Sequence, residues 1–340
     1  MPKETGKELL EKAKKLCEKE GREGWKLAQE TMLKEKTSSP ELQEAIKYLM
    51  TKCQPDVFRP ALLSLCSKAV KGTSNVTAPV GASLILLARA IGIHDDIIDQ
   101  SKTKDERLTV LGKFGSDITL VLSDILLFRG FTSLRRALES GTSVGKVMAI
   151  LSTIEKIWIV EQSDAEALDL KFRRQIDVTP QQCLTKIRMI ASEIEAIARI
   201  GGILGEGTEN EIMTLGKYGR LLGTMALLRD EIVDMFRFKT LKHRIKKETL
   251  PLPLVYTLQT QFRHVVISLV SKARLTTRDL EGILKFSEEA GGIEKTANLL
   301  EKMVKEAHLL VSELKMIREL KLLASSTALR LEEWEPINTN

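Results

Sequence analysis

The stretch GASLILLARAIGIHDDIIDQ, residues 81–100, decides the fold class, because a long apolar run ends there in a cluster of acidic residues. Nearly every position before His94 is apolar or small, which is typical of a helix that is buried on most of its sides. Asp95 and Asp99 are four residues apart, so on a helix both carboxylates project from one face. Two such carboxylates repel each other unless a cation joins them, and Mg²⁺ accepts one or two carboxylates with waters and phosphate oxygens. The stretch therefore predicts a buried helix with a magnesium site at its end.

A second acidic cluster follows another apolar run later in the chain. The residues from Leu221 to Leu228 are mostly apolar, and Asp230 and Asp234 after them repeat the four-residue spacing. A helix end that turns its charge to water explains one such cluster equally well. Two clusters with the same spacing, each after an apolar helix, favour metal sites instead.

Helical periodicity extends along almost the whole chain. Aromatic residues make up only 4% of the 340 residues, whereas strand-rich folds usually need more of them. Thr179 and Pro180 have the pattern of an N-cap followed by an N1 proline. Turn residues separate predicted helices at 116–139, 145–172, 180–204, 209–235, 251–272, 277–290 and 293–326. No linker rich in Pro, Gly or Ser divides the chain, so we predict a single all-helical domain over residues 1–340.

Charge and cysteine content narrow the function classes. The formal net charge of +6 is compatible with an anionic partner. The sequence has no dense basic run interleaved with aromatic residues, so nothing in it indicates nucleic-acid binding. The four cysteines form no CxxC pair, which disfavours a zinc site. The first residues lack the apolar core of a secretory signal, and the longest apolar stretch, Val80 to Ile93, is too short to span a bilayer. We therefore expect a cytoplasmic enzyme without a transmembrane segment.

The two acidic clusters resemble the aspartate-rich motifs of the isoprenyl diphosphate synthases, and further pieces follow in that family's order. They are FRPALL (58–63), LTV (108–110), FG (114–115), SDILL (123–127), AEALDL (165–170) and KETLP (247–251). The resemblance covers roughly residues 50–260. It implies an all-α fold, a single large helical bundle of the isoprenoid synthase type with a central apolar cavity.

The resemblance also implies a chemistry and assigns residues to it. Mg²⁺, as three ions bound with the substrate diphosphate, would neutralise the leaving group so that the C–O bond ionises to an allylic carbocation. The expected catalytic residues are Asp95, Asp99 and Asp230, and the expected metal ligands are Asp95, Asp96, Asp99, Asp230 and Asp234. The expected diphosphate-binding cations are Arg59, Arg107, Lys186 and Lys247. Hydrogen bonds that support the ligands are expected from Glu166, Asp169 and Glu231. The residues expected to set substrate chain length are Leu86, Leu87, Ala90 and Ile91.

Several positions depart from the elongating members of that family, which hold isopentenyl diphosphate in a basic pocket of its own. Residues that are polar or cationic in those enzymes fall here on Asp56, Ala88, Lys104-Asp105, Met189-Ile190 and Leu227. Such replacements make a diphosphate pocket worse and an apolar pocket better, although Lys186 is a candidate substitute for the lysine missing at Met189. The departures favour an enzyme that ionises a C15–C20 allylic diphosphate and then cyclises or quenches the carbocation, as a terpene synthase does.

Two alternatives stay open at this point. One is a trans-prenyltransferase that condenses an allylic diphosphate with isopentenyl diphosphate, as geranylgeranyl diphosphate synthases do. The other is a non-catalytic subunit of a heteromeric prenyl synthase, which the two complete aspartate clusters disfavour. We expect the protein to form a homodimer.

Overall fold

The computed structural model describes residues 6–72, 76–104 and 107–328. Within these residues it forms seventeen α-helices, one π-helical segment and one two-stranded antiparallel sheet. In chain order the helices are α1 (Gly6–Leu33), α2 (Pro40–Thr51), α3 (Phe58–Ala69), α4 (Thr77–Ile98), α5 (Val110–Ser133), α6 (Arg135–Glu139), α7 (Val144–Thr153), α8 (Val160–Phe172), α9 (Pro180–Ile190), α10 (Ser192–Leu204), α11 (Glu209–Phe236), α12 (Phe238–Lys247), α13 (Leu252–Thr257), α14 (Arg263–Val270), α15 (Thr277–Glu289), α16 (Gly292–Leu310) and α17 (Ile317–Thr327). The strands β1 (Thr103–Lys104) and β2 (Arg107–Leu108) form a hairpin between α4 and α5. The predicted all-α fold is confirmed.

Several predicted helices are divided in the structure. The predicted helix 180–204 becomes α9 and α10, which meet at Ala191, and the predicted helix 145–172 contains the π-helical segment Ile154–Ile159 between α7 and α8. The predicted helix 293–326 becomes α16 and α17, which are separated by residues 311–316, and Met316 before α17 adopts a left-handed φ of 56°. The apolar periodicity of a sequence continues across such short breaks, and it therefore does not reveal them.

Helix α5 begins six residues before its predicted start at 116. The Thr109 hydroxyl caps it by accepting a hydrogen bond from the Gly112 amide at 3.0 Å. Gly115 interrupts the helix with φ 78° and ψ 174°, a conformation that a residue with a Cβ rarely adopts. The sequence prediction detected only the part of the helix that follows this kink.

The helices group into two compact units, which are described separately. The first-motif unit contains Lys14–Ser152 and Ile197–Ile212, and it carries the acidic cluster at the end of α4. The second-motif unit contains Met1–Ala13, Thr153–Ala196 and Met213–Asn340, and it carries the acidic cluster on α11. A single domain over residues 1–340 stays a prediction.

The core of the first-motif unit lies where α4 packs along α5. Ile85 and Leu86 of α4 are fully buried in the same cluster as Leu122 and Leu126 of α5. Among the described residues α4 is the one helix long and apolar enough to cross a membrane, and 67% of its apolar window is buried inside the protein. Burial of this apolar surface is the main stabilising contribution that α4 makes to the fold.

In the second-motif unit the buried faces of α11, α13, α16 and α17 form the packing that positions the second cluster. The Tyr218 hydroxyl of α11 donates a hydrogen bond to the Leu320 carbonyl of α17 at 2.7 Å. Helices α13 and α16 approach closely at Gly292, where a Cβ atom would lie 2.3 Å from the Pro253 carbonyl oxygen. These contacts connect distant parts of the sequence around the helix that carries Asp230 and Asp234.

Candidate active site

The first aspartate cluster lies at the C-terminal end of α4. The helix continues through Ile98, and Asp99 is its C-cap residue, with its amide donating to the Asp95 carbonyl at 2.9 Å. Asp95 and Asp99 therefore have the helical spacing that the sequence predicts. Both are partly exposed, whereas Asp96 is 8% exposed.

Lys104 of β1 occupies the space beside these aspartates. Its Nζ lies 2.6 Å from Asp96 Oδ1 and 3.8 Å from Asp95 Oδ2. Burial raises the pKa of Asp96 above its usual value, and the Lys104 ammonium only partly offsets this effect. Desolvation alone would lower the pKa of Lys104, but the neighbouring carboxylates raise it, so its side chain stays charged. The buried member of the cluster is thus neutralised by the chain itself.

The remaining two carboxylates fit a magnesium ion. No group of three or more His, Cys, Asp or Glu side chains among residues 6–72, 76–104 and 107–328 is arranged to hold a metal by itself. Mg²⁺ does not need such a cage, because waters and substrate phosphates usually complete its octahedral shell. Asp95 and Asp99 supply hard oxygen ligands at the protein surface, whereas Asp96 is already paired with Lys104. The metal-ligand role of each residue stays a prediction.

A cavity of about 400 Å³ lies directly beside this cluster in the first-motif unit. Among the described residues its lining includes two carboxylates, Asp56 and Asp96, and five cations, Lys52, Arg59, Arg89, Lys104 and Arg107. The replacements read from the sequence favour a more apolar pocket, whereas the lining of this cavity is rich in cations. Although the positions compared with the family carry Asp56 and Ala88, cations from neighbouring positions line the cavity. Asp105 lies outside the described residues.

The loop that follows α2 orients two of these cations. Arg89 Nη2 donates a hydrogen bond to the Gln54 carbonyl, and Arg107 Nη1 donates to the Lys52 carbonyl at 3.3 Å. Carbonyl groups at the end of a helix attract cations, because the backbone dipoles point their negative ends there. Arg59 is oriented differently, since its Nη1 donates to Asp56 Oδ2 at 2.7 Å. Asp56 therefore positions an arginine of the pocket.

In the second cluster the two predicted metal ligands have different surroundings. The Asp230 side chain is 57% exposed and accepts a hydrogen bond from its neighbour Arg229 at 2.8 Å. Asp234 is largely buried, and its Oδ2 lies 2.6 Å from Arg244 Nη1. Asp230 thus resembles Asp95 in its accessibility, whereas Asp234 is engaged by a buried cation.

Arg244 of α12 connects four acceptors in the second-motif unit. Its guanidinium donates to Asp234, to Glu231 Oε1 at 2.7 Å and to the Thr249 carbonyl at 3.2 Å, and it is paired with Glu248 at 3.0 Å. Glu231 Oε2 also accepts the Leu252 amide at 2.6 Å. Burial raises the pKa of Asp234 to about 6, because Arg244 only partly compensates and Glu231 adds negative charge. Glu231 therefore contacts Asp234 through a shared cation, and its role in supporting the metal ligands stays a prediction.

A second buried network surrounds Asp169 of α8. Its Oδ1 pairs with the Lys186 ammonium and accepts the Thr249 hydroxyl at 2.9 Å. Burial alone would raise the pKa of Asp169, but Lys186 and Thr249 together hold it below its usual value. Glu166, which was also expected to support the ligands, lies one turn before Asp169 on α8. Lys247, an expected diphosphate-binding cation, is exposed at the end of α12. Lys186 is 5% exposed, so its predicted role in binding diphosphate requires sharing with Asp169.

The residues expected to set chain length lie in the packing between α4 and α5. Leu86 and Ala90 are fully buried, and the Ala90 carbonyl accepts a hydrogen bond from Ser123 Oγ at 2.9 Å. A Cβ added at Gly130 would lie 2.5 Å from Leu87 Cδ2, which shows how closely the two helices approach. Ile91 is partly exposed. The role of these four residues in chain length stays a prediction.

The family model described as polyprenyl synthetase matches residues 39–285. The chain belongs to this family. It is 28% identical to the short chain isoprenyl diphosphate synthase of Methanothermobacter thermautotrophicus over 179 residues. These residues are 52% of this chain, and they span about half (54%) of the length of that relative. It is 25% identical to the geranylgeranyl diphosphate synthase of Methanosarcina mazei over 274 residues, which are 79% of this chain and 83% of that protein.

Solved structures show the polyprenyl synthetase fold for nearly the whole chain. A polyprenyl synthase from Caulobacter crescentus CB15, complexed with calcium and isoprenyl diphosphate, is similar with a TM-score of 0.78. The two chains are 15% identical, over 94% of this chain and 98% of the other. Members of the family are enzymes of the class I isoprenoid synthase kind, which use Mg²⁺ with a diphosphate substrate.

Two arginines of the chain were not among the predicted site residues. Arg89 is the one charged residue in the apolar run from Val80 to Ile93, and this isolation was a usable signal. Arg244 lies in a lysine-rich segment, where nothing in the local sequence distinguishes it from its exposed neighbours. In the structure it is buried together with Leu241 and Ile245 on the inner face of α12.

Proposed function

We propose that the protein is a trans-prenyltransferase that condenses an allylic isoprenyl diphosphate with isopentenyl diphosphate. The observation that carries this proposal is the cation-lined cavity beside the first aspartate cluster. A diphosphate that binds without metal ions must be paired by arginine and lysine side chains. Because the allylic diphosphate is bound through metal ions, the separate cationic cavity suits the second, metal-free substrate.

The reaction breaks the allylic C–O bond, forms a C–C bond to the alkene of isopentenyl diphosphate, and removes a proton from the new isoprene unit. Mg²⁺, when bound, neutralises the departing diphosphate. Asp95, Asp99 and Asp230 are the accessible carboxylates that would hold Mg²⁺. Asp96 and Asp234 are the further predicted ligands, and three ions are expected. Arg59 and Arg107 bind diphosphate oxygens in the cavity, and Lys186 and Lys247 are assigned the same task in the second-motif unit.

The terpene synthase interpretation is not supported. It depended on the loss of the basic pocket, and the cavity carries five cations. The names of the relatives, short chain isoprenyl and geranylgeranyl diphosphate synthase, also favour chain elongation.

We further propose that the enzyme is soluble and cytoplasmic, and that it acts as a homodimer on allylic substrates of C15–C20 size. Support for a dimer comes from α5, where Leu120, Asp124 and Phe128 recur every four residues on one exposed face. Phe128 is 69% exposed and Val121 beside this stripe is 46% exposed. Large apolar side chains exposed around a single charged residue are compatible with an interface, and a second copy of the chain is the partner that we expect.

Product analysis tests the proposed function. The protein is incubated with Mg²⁺ and allylic diphosphates of ten, fifteen or twenty carbons, with and without labelled isopentenyl diphosphate. We expect label in a longer diphosphate, formed only when both substrates are present. A phosphate-free hydrocarbon or alcohol formed without isopentenyl diphosphate would identify a terpene synthase. No turnover of any allylic diphosphate would favour the non-catalytic subunit.

A further inference from the structure

Arg89 occupies an unusual place for a charged residue. It lies in the middle of α4, whose neighbouring positions Ala88 and Ala90 are at most 9% exposed, and it lines the cavity beside the first aspartate cluster. It is seven residues before Asp96, two helical turns away on the same face, and both residues line the cavity. A cation in such a position is costly unless an anion or several acceptors compensate for its lost hydration.

The compensation within the protein is incomplete. The Arg89 guanidinium carbon lies 5.6 Å from the centroid of the Trp25 ring, and Nη2 donates to the Gln54 carbonyl. Its Nε is buried, and no hydrogen-bond acceptor for this atom occurs in the part of the chain that the structure describes. The aromatic face and the single carbonyl orient the group, but they leave a charged donor without an anionic partner.

The surroundings add positive charge rather than remove it. Asp56, the carboxylate that acts on Arg89 most strongly, is already bound by Arg59 at 2.7 Å, and Arg59 itself repels Arg89. Burial and Arg59 lower the pKa of Arg89 despite the attraction of Asp56. Asp96, the other lining carboxylate, is engaged by Lys104. The cavity therefore has an excess of positive charge and one unsatisfied donor on Arg89, which a ligand with two or more negative charges would compensate.

We propose that Arg89 binds the diphosphate of isopentenyl diphosphate and replaces the polar side chain that is missing at Ala88. This inference rests on the proposed function, because it names a residue that serves the second substrate. The guanidinium groups of Arg89, Arg59 and Arg107 form a metal-free diphosphate site, in which Trp25 and the loop after α2 orient Arg89. Arginine suits this task, since its planar fork donates to phosphate oxygens in a fixed geometry.

The test measures binding of isopentenyl diphosphate by titration calorimetry in EDTA. The wild type is compared with Arg89→Met, which keeps a stem against Trp25, with Arg89→Lys, and with Arg22→Met as a control. Arg22 is exposed on α1 and pairs only on the surface with Glu18, so this variant loses the same charge away from the cavity. We expect a dissociation constant about 10- to 100-fold higher for Arg89→Met, an intermediate value for Arg89→Lys and no change for Arg22→Met.

Turnover separates this inference from the proposed function. In steady state we expect Arg89→Met to raise KM for isopentenyl diphosphate, with KM for the allylic substrate unchanged. If the wild type consumes isopentenyl diphosphate and Arg89→Met has the same KM and dissociation constant, the role of Arg89 is refuted while the prenyltransferase proposal stands. If the wild type binds isopentenyl diphosphate through Arg89 but never consumes it, the proposed function fails and the site remains.

A measurement on the wild type covers the case in which Arg89→Met does not fold. The Nε–H signal of Arg89 is assigned in an arginine-labelled NMR spectrum as the signal that disappears in Arg89→Lys. We expect this signal to shift when isopentenyl diphosphate, and to a smaller extent inorganic pyrophosphate, is added in EDTA. A signal that stays in place at saturating ligand would overturn the inference.

Discussion

The Lys104 ammonium lies 2.6 Å from Asp96 Oδ1, so the buried carboxylate of the first aspartate cluster is neutralised by a residue eight positions later. The hairpin of β1 and β2 carries Lys104 back to the end of α4, and it carries Arg107 to the adjoining cavity. The same short segment therefore supplies a cation to the cluster and another to the proposed diphosphate pocket.

Lys104→Met is expected to destabilise the protein by about 1–2 kcal/mol, because it leaves the buried Asp96 without its cation. Half of the Lys104 side chain is exposed, so the loss is smaller than for a fully buried pair. Urea unfolding of this variant, of Asp96→Asn and of the double variant measures the coupling. We expect Asp96→Asn to recover most of the loss; purely additive effects would show that the pair is not coupled.

Asp95→Ala is expected to lower the rate of diphosphate release by about 100-fold or more, because it removes an accessible oxygen ligand of the proposed magnesium site. The side chain is 44% exposed, so the melting temperature should change little. Asp177→Ala provides a control, since Asp177 is 79% exposed and pairs with Arg263 at the surface. Full activity in Asp95→Ala at every Mg²⁺ concentration would argue against this site.

Asp234→Asn is expected to change the pH dependence of stability in EDTA. The pKa of Asp234 is raised to about 6 in the folded protein, so the native state binds its proton more tightly than the unfolded chain does. This contribution is present at pH 4 and is lost as the pH rises through 6. Relative to the wild type, Asp234→Asn should therefore gain stability by about 1–3 kcal/mol between pH 4 and pH 7. Thermal unfolding at both pH values measures it, and a constant difference would contradict the raised pKa.

Gly112→Ala is expected to weaken binding of isopentenyl diphosphate as well as to destabilise the protein by about 1–3 kcal/mol. A Cβ at this position would lie 2.0 Å from the Lys102 carbonyl oxygen, so the segment that carries Lys104 and Arg107 must move. Gly145→Ala is the matched control, because its nearest neighbour would be 4.0 Å away. Calorimetric binding in EDTA and urea unfolding are measured on both variants. Equal affinities would show that the hairpin tolerates the shift.

Phe128→Glu is expected to shift the protein from dimer to monomer, because it replaces the most exposed aromatic side chain of the α5 face that we assign to the dimer by a second acidic one. Central aromatic residues often contribute 2 kcal/mol or more to an interface, so the dissociation constant should rise by about 30-fold or more. Sedimentation velocity over a range of concentrations measures this change. Leu309→Glu is the control, since Leu309 is 74% exposed on α16. A Phe128→Glu dimer of wild-type affinity would move the interface elsewhere.

Local sequence determined the features that depend on neighbours within one or two helical turns. Helical periodicity predicted the shared face of Asp95 and Asp99 and the buried character of α4. Residue preference at helix starts predicted the N-cap at Thr179, where the structure contains a capping box with Gln182. Periodicity did not show the break at Met316, because the apolar stripe continues on both sides of it.

Tertiary structure decided which charged side chains became part of a site. Arg89 and Arg107 line one cavity because the loop after α2 presents its carbonyls to both, and Arg244 joins Asp234 to Glu231 because α12 folds back against α11. A position-by-position comparison with the family suggested a pocket poorer in cations, since the expected residues were missing at Asp56 and Ala88. Guanidinium groups on long side chains reach the same space from different backbone positions, so the charge of a pocket belongs to its three-dimensional lining rather than to any fixed position in the chain.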